Sequence, residues 1–185
     1  MASTYTDLGL ELMVTGENSG TWGDKTNTNL QLIQQGFAGY QEVSIAGGAQ
    51  TTALAVTDGT LSNGRNAIIK FTGTITGNQI VTIPDSIEKT YTIINGTSGA
   101  FTVQFKTVSG SGFTFSATDK GTRLVYSNGT DVVDVNSLFT TINQFTLPSS
   151  DGTSGQSIVT DGSANLSFAG PYATNGKAIA FAIVF

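Results

Sequence analysis

Apolar and polar positions alternate along most of the chain from residue 42 to residue 135. The clearest run is 101–106, where Phe101, Val103 and Phe105 would point to one side of a strand and the polar residues between them to the other. Comparable runs predict strands at 42–46, 53–57, 67–72, 79–83, 90–95, 100–107, 112–116, 122–127 and 132–135. The pattern therefore predicts a mainly β body.

Turn residues separate the predicted strands. Asn-Gly pairs occur at 63–64, 95–96 and 128–129, and an Asp-Gly pair occurs at 58–59. Asn and Gly tolerate the positive φ angles that tight turns between antiparallel strands require. Short strands with this punctuation predict an antiparallel β-sandwich of jelly-roll type.

Before residue 42 the spacing of apolar residues changes from every second residue to every third or fourth. Leu30, Ile33, Phe37 and Tyr40 follow one another at intervals of three, four and three residues, which places them in one apolar seam on a short helix. A helix of about three turns is too short to be stable alone in water, so another surface must bury the seam. The sequence leaves two alternatives open: the seam packs on its own domain, or it packs on symmetry mates around an axis.

The segment before this helix is rich in Gly, Asn and Thr and contains the single tryptophan of the chain. Trp22 lies between two glycines, which allow a close approach of the backbone, and it is predicted to be an aromatic anchor. A short side-chain oxygen at Thr26 or Asn27 is predicted to cap the helix.

The last third of the chain carries a different pattern. Residues 145–168 contain two Asp-Gly pairs ten residues apart and are predicted to form hairpins or short prism-like strands. The final run, 178–185, alternates alanine with Ile179, Phe181 and Ile183. We expect this run to be a buried terminal strand in a tight interface, because it is far shorter than the ~20 residues that span a bilayer.

Composition narrows the classes of partner. Of the 185 residues only 11% are charged, and the formal net charge is −5 with a sequence pI near 4.4. Nucleic-acid binding requires clustered Lys and Arg, whereas the basic residues here are scattered. The start of the chain lacks the basic stretch and the long apolar run of a signal peptide. We therefore expect no nucleic-acid partner and no membrane insertion.

The chain contains no histidine and no cysteine. A Ser-His-Asp triad and a zinc site of Cys and His ligands are therefore excluded. A pair of carboxylates is the remaining catalytic arrangement, but the acidic residues are spread thinly. Calcium binding through Asp131 and Asp134, or through Asp151 and Asp161, is an alternative that no EF-hand spacing supports. We expect no enzymatic activity, no bound metal and no cofactor.

Three stretches resemble bacteriophage tail-fibre and related virion structural proteins. The first is Gly-Thr-Trp-Gly at 20–23 followed by Asn-Thr-Asn at 27–29. The second resembles a small β-unit of these fibres in order and spacing, and it comprises 80–84, 91–95, 101–106, 110–112 and 124–130. The third, within 147–168, is similar to their Leu-Pro, Asp-Gly-x-x-Gly-Gln and Thr-Asp-Gly-x-x-x-Leu-x-Phe segment, with Ala164 where a glycine is usual.

The resemblance implies a homotrimer with its three-fold axis along the fibre, at the tail or head surface of the virion. The residues expected to attach it to other virion proteins are Trp22, Gly23, Asn27 and Asn29. The residues expected at the trimer interface are Leu30, Ile33, Phe37, Tyr40, Ile179, Phe181 and Ile183. A host surface glycan or protein is a further expected partner.

The resemblance and the patterns together predict three segments. Residues 1–40 form a virion-attachment segment with the short helix, 41–136 form the β-sandwich body, and 137–185 form a hairpin or prism-like segment in which the chains intertwine. The expected function is that of a virion structural protein, a trimeric tail fibre or fibre-like component that acts in particle assembly and host attachment.

Two other functions remain as alternatives. A capsid decoration or head-fibre protein is favoured by the shortness of the chain. A carbohydrate-binding module would need a sugar-stacking surface, for which the candidate aromatic residues are Phe113, Phe115, Tyr126 and Tyr172. Against this, alternating aromatic residues of a strand normally point into a core.

Overall fold

The structure, a computed structural model, describes residues 3–135, 141–142 and 145–170. The chain divides into two compact units, Met1–Asn136 and Ser137–Phe185. The described residues are mainly β with a single α-helix, so the predicted fold class is confirmed at this level. The strands of the first unit are β1 (Thr4–Tyr5), β2 (Glu11–Leu12), β3 (Tyr40–Ser44), β4 (Gln50–Ala53), β5 (Ile68–Thr72), β6 (Gln79–Ile83), β7 (Glu88–Asn95), β8 (Val103–Thr107), β9 (Gly112–Phe115), β10 (Thr122–Asn128) and β11 (Val132–Asp134).

The helix, α1, spans Trp22–Ala38 and begins earlier than predicted. The carbonyl of Thr21 accepts the amides of Asp24 and Lys25 at 3.0 and 3.2 Å, so the first turn forms around the tryptophan. The predicted cap at Thr26 or Asn27 is therefore wrong, since both residues lie inside the helix. The acidic side chain in the first turn, Asp24, lies where the helix dipole favours a negative charge.

The body consists of two sheets, and the chain alternates between them. The five-stranded sheet has the order β11-β10-β7-β5-β3, and the four-stranded sheet has the order β4-β6-β8-β9. Strands β3, β5 and β7 are parallel in the first sheet, as are β4, β6 and β8 in the second. One rung of this arrangement is one strand of the first sheet followed by one strand of the second. Tyr40 pairs with Ile68 and Ile68 pairs with Thr92, so successive rungs start 28 and then 24 residues apart. The body is therefore a short two-sheet coil of three rungs, closed by antiparallel strands.

The predicted antiparallel jelly-roll is wrong in its strand pairing. Only the pairs β8–β9, β7–β10 and β10–β11 of the body are antiparallel. Consecutive strands lie in opposite sheets up to β8, so their partners come from neighbouring rungs and not from hairpins. The Asn95-Gly96 pair, expected to close a hairpin, instead marks the point where the chain leaves β7 for the other sheet. Of the three Asn-Gly pairs in the body, Asn128-Gly129 alone joins antiparallel neighbours.

The two sheets share one hydrophobic core, which agrees with the coarser expectation of a sandwich. Phe71 of β5 and Phe105 of β8 approach across the core with ring centroids 6.1 Å apart. Tyr91 of β7 meets the same Phe105 ring edge-on at 5.5 Å. The other fully buried members include Ile69, Val81, Ile83, Ile93, Val103, Phe115 and Val125. Inward residues of the alternating runs therefore form the core, as their period predicts.

The second unit is built from two hairpins as far as the structure describes it. Strand β12 (Thr141–Ile142) pairs with β13 (Phe145–Thr146), and β14 (Ser157–Thr160) pairs with β15 (Leu166–Ala169), both antiparallel. Ala164, where the resembling fibres have glycine, has a φ of +65°. Intertwining of chains stays a prediction, and Ile179, Phe181 and Ile183 lie outside the described residues.

Candidate functional site

The apolar seam is exposed in the part of the chain that the structure describes. Tyr40, predicted to continue the helix, is instead the first residue of β3, because the helix ends at Ala38. Phe37 is 86% exposed and Trp22 66%, while Leu30, Ile33 and Tyr40 are each more than half exposed. Trp22 falls within about 80° of the seam residues around the helix axis. The residue that anchors the helix to its own unit is Leu32, which is 1% exposed. The seam is therefore not buried by its own unit, which was one of the two alternatives that the sequence left open.

The seam carries no charged side chain, although Lys89 lines a hollow beside Phe37 and binds two backbone carbonyls there. Residues 26–38 contain no charged side chain. The neighbouring Lys25 forms a 2.9 Å ion pair with Glu11, and Lys70 forms one of the same length with Glu42 beside Tyr40. An exposed apolar surface without free charges is typical of a contact between proteins.

Two hollows flank Phe37. An apolar hollow of about 230 Å³ is lined by Leu8, Leu10, Leu32, Ile33, Gly36 and Phe37. A second hollow of about 350 Å³ is lined by Gly36, Phe37, Ala67, Lys89, Thr90 and Thr92. The ring of Phe37 thus projects between two concave surfaces, one on each side of the helix end.

Asn29 has a local structural partner. Its Oδ1 accepts the backbone amide of Glu11 at 2.9 Å, and its Nδ2 donates to the Glu11 carbonyl at 2.9 Å. The side-chain amide therefore binds strand β2 as a neighbouring strand would. Gly23 follows Trp22 in the first turn and is half-buried, and Asn27 is exposed on the helix, so attachment to other virion proteins stays a prediction for both.

Glu11 connects the N-terminal hairpin to the helix, a role that the sequence analysis missed. Its buried carboxylate binds Lys25 at 2.9 Å and accepts the Ser3 hydroxyl at 2.8 Å. The hydrogen bond from Lys25, followed by that from Ser3, lowers the pKa of Glu11. Glu17 accepts the amide and hydroxyl of Ser3 as well, so the segment before α1 is fastened to itself and to the helix.

Arg65 was also missed, and it is the largest fully buried side chain. Its guanidinium donates to the carbonyls of Leu8, Thr57 and Thr60 at 2.6–2.7 Å and to Gln35 Oε1 at 3.0 Å. These four acceptors belong to the N-terminal segment, to the loop after β4 and to α1. Arg65 therefore holds the helix in its place on the body, although nothing in the sequence around it signals this role.

Lys89 lies next to this cluster and lines the second hollow. Its ammonium donates to the carbonyls of Arg65 and Asn66 and lies 4.4 Å from the centre of the Tyr91 ring. Burial, with a smaller contribution from the Arg65 charge, lowers the pKa of Lys89 to about 8. Burial likewise raises the pKa of Tyr91, whose hydroxyl donates to the Gly64 carbonyl at 3.0 Å.

We expect Lys89 to make the protein more stable as the pH rises from about 8 to 10. In this interval the unfolded chain, with an ordinary lysine pKa of 10.5, binds more protons than the folded one, so the free energy of unfolding increases with pH. The full shift corresponds to roughly 3 kcal/mol, and solvent screening of this half-buried group reduces the expected rise to about 1–2 kcal/mol.

Urea unfolding at a series of pH values measures this rise, and Lys89→Met should remove most of it. The interval ends near pH 10, because the raised pKa of Tyr91 makes stability fall once the unfolded tyrosine ionises. A Lys89→Met protein with the same slope as the wild type would show that another group is responsible.

The described residues show no cluster of metal ligands. They contain no group of three or more acidic, His or Cys side chains that could hold a metal ion. Asp131 instead accepts the amide and hydroxyl of Ser111, and Asp161 accepts two amides and the Asn165 side chain. Within the same ranges, no helix is long and apolar enough to cross a membrane.

The candidate sugar-stacking residues do not form one surface. Phe115 is fully buried, and Phe113 packs edge-on against it with ring centroids 4.8 Å apart. Tyr126 is partly exposed on the other sheet, and Tyr172 lies outside the described residues. Core packing therefore accounts for the two phenylalanines.

No protein-family model, curated protein or solved structure matches this chain. Its function must therefore be inferred from the exposed surface and from the motifs of the sequence.

Proposed function

We propose that this chain is a bacteriophage virion structural protein, a trimeric tail-fibre or fibre-like component that acts in particle assembly and host attachment. The observation that carries the proposal is the exposed, uncharged seam of α1, led by Phe37 at 86% exposure, on a helix that is itself firmly fastened to a β body. The motifs at 20–29, 80–130 and 147–168 supply the assignment to phage fibres.

In this proposal the seam residues Leu30, Ile33, Phe37 and Tyr40 pack around a three-fold axis. Trp22 and its neighbours contact other virion proteins at the particle. A trimer presents three copies of the body to the host surface glycan or protein, so weak individual contacts combine through avidity. The function is adhesion and assembly without chemistry on the ligand.

Two substitutions on the seam test the oligomer. Phe37→Asp or Ile33→Asp places a charge where identical surfaces would meet, so the solution mass should fall from three times 19.2 kDa to 19.2 kDa. Light scattering coupled to gel filtration measures this. The matched control is Val108→Asp, because Val108 is equally apolar and exposed but follows β8 on the body. A wild-type protein that is a monomer would contradict the shared-axis account.

Immunogold electron microscopy on phage particles tests the virion assignment. Gold at the tail or its fibres is the expected result and makes receptor screening the next step. Gold over the head would replace the fibre role by capsid decoration, with shell stability as the following assay. Particles without any label would overturn the virion assignment whatever the oligomeric state.

A further inference from the structure

The outer face of the five-stranded sheet continues the seam of α1. Strand register places Tyr40, Ile68, Thr92 and Leu124 side by side across β3, β5, β7 and β10. Tyr40 is at once the last seam residue and the first residue of this row. Phe37 and Thr92 line the same hollow, so the helix and the sheet face adjoin there as well.

A second row on this face also contains exposed apolar side chains. Thr90 pairs with Tyr126, and Tyr126 pairs with Val133 on the edge strand β11. Leu124, Tyr126 and Val133 are each about two-fifths exposed, at 41%, 41% and 43%. Their neighbours along the strand, such as Val125, face the core, so these large side chains lie on the outer face of the sheet.

We propose that the seam of α1 in one copy packs on this sheet face of the next copy, with Phe37 filling the neighbour's hollow beside Thr92. The inference rests on the proposed oligomer and specifies how its copies meet. In the proposed trimer the contact is head-to-tail, with the seam of each copy on the sheet face of the next. Such a contact closes into a ring when each copy is rotated by one third of a turn.

Charge favours a second copy as the occupant. The chain has a net charge of −5, yet Glu42 and Lys70 on this face are paired with each other. Glu88 lies at the margin, opposite Asn128 at the end of β10. Copies of an acidic protein repel one another least where the touching surfaces carry no unpaired charge. The seam and the row Tyr40, Ile68, Thr92 and Leu124 contain no charged side chain, and the ammonium of Lys89, which lines the hollow, is bound to two backbone carbonyls.

The dimensions fit this arrangement. The hollow of about 350 Å³ is large enough for one phenyl ring, and the ring that projects most from this chain is that of Phe37. An aromatic ring that enters a desolvated pocket is the usual energetic centre of a protein interface. Ala67, Thr90 and Thr92 are small walls of the hollow, and Gly36, Phe37 and Lys89 of the same copy form the rest of its lining.

Filling the hollow tests the proposal. Thr92→Trp occupies the space that the neighbour's Phe37 needs, so we expect the association constant to fall at least about 100-fold and the mass to approach 19.2 kDa at micromolar concentration. Thr114→Trp is the matched control, since Thr114 is an exposed strand threonine of the four-stranded sheet. Circular dichroism checks that both variants remain folded.

Crosslinking gives a second readout that does not depend on folding of a bulky variant. The chain has no cysteine, so Ile33→Cys and Leu124→Cys can be coexpressed on differently tagged copies and treated with a short bismaleimide. A mixed dimer of the two tags is expected, and Thr114→Cys in place of Leu124→Cys should give none.

Each other outcome overturns the proposal. If Thr92→Trp keeps the full mass while Phe37→Asp dissociates, the interface is confined to the helix and the sheet face is free. If Thr114→Trp dissociates equally, or if no mixed dimer forms, the sheet face is not the receiving surface. A monomeric wild type removes the interface altogether, whereas the virion assignment is judged separately by the gold label.

Discussion

Replacing Arg65 by methionine should lower the free energy of unfolding by roughly 3–5 kcal/mol. Methionine fills most of the space of the arginine stem but provides none of its donors. The carbonyls of Leu8, Thr57 and Thr60 would then be left without the partner they have at 2.6–2.7 Å. Buried acceptors without a partner are costly because they lose water on folding and gain nothing in return.

Urea-induced unfolding at a fixed protein concentration measures the effect, since association would otherwise contribute to the apparent stability. The control is Lys70→Met, compared at a concentration at which every variant is monomeric because the pair lies on the proposed receiving face. This change removes an exposed ion pair with Glu42 and should leave the stability of the single chain close to the wild-type value. An Arg65→Met protein as stable as the Lys70→Met protein would contradict the role of Arg65 in holding the helix to the body.

The sequence could not have identified Arg65, for a physical reason. Its acceptors are mostly backbone carbonyls, and every residue type provides one. The three segments that supply them meet only after the chain has formed its first rung. A side chain that binds backbone carbonyls therefore leaves no pattern of residue types along the chain, in contrast to a seam of regularly spaced apolar residues.

The strands themselves were largely predictable, and their pairing was not. The expected strand 79–83 is β6 to the residue, and 122–127 is β10 without its last residue. Alternation records which residues face inward, and this is a local property. The strand predicted at 53–57 is wrong in position, because the observed strand β4 begins at Gln50 and ends at Ala53. Parallel pairing between rungs joins residues that lie 24 to 29 positions apart, and short alternating runs do not encode it.

The candidate interface was predicted in part. The intervals between Leu30, Ile33 and Phe37 gave the helix face correctly, and the structure leaves that face exposed. The exposed sheet face was not predicted, because Leu124, Val125 and Tyr126 are all apolar. Their sequence would be the same if Val125 were exposed and the other two were buried. In a strand that is apolar on both sides, the period alone cannot distinguish a core residue from an exposed one.

Two glycines that are aligned with the same residue, Ile75, in neighbouring rungs should lose very different amounts of stability when replaced by alanine. Gly47 and Gly99 both lie in register with Ile75, one in the rung before it and one in the rung after. Both have a positive φ, +113° and +100°, which alanine adopts only with strain. A Cβ on Gly47 would meet nothing within 4 Å, whereas a Cβ on Gly99 would lie 2.2 Å from the Ile75 carbonyl oxygen.

We therefore expect Gly47→Ala to lower the free energy of unfolding by about 1–2 kcal/mol from backbone strain alone. Gly99→Ala should lower it by at least roughly 3 kcal/mol, because the backbone of the adjacent rung must also move. Urea unfolding of both variants measures the difference between the two losses. Alanine also restricts the unfolded chain and so stabilises the protein slightly, but this contribution is the same in both Gly→Ala variants and cancels in the difference. Equal losses would mean that strain in φ is the whole effect and that the rungs are not packed closely at Gly99. A much larger loss at Gly99 would show that the spacing between neighbouring rungs limits which residues these aligned positions accept.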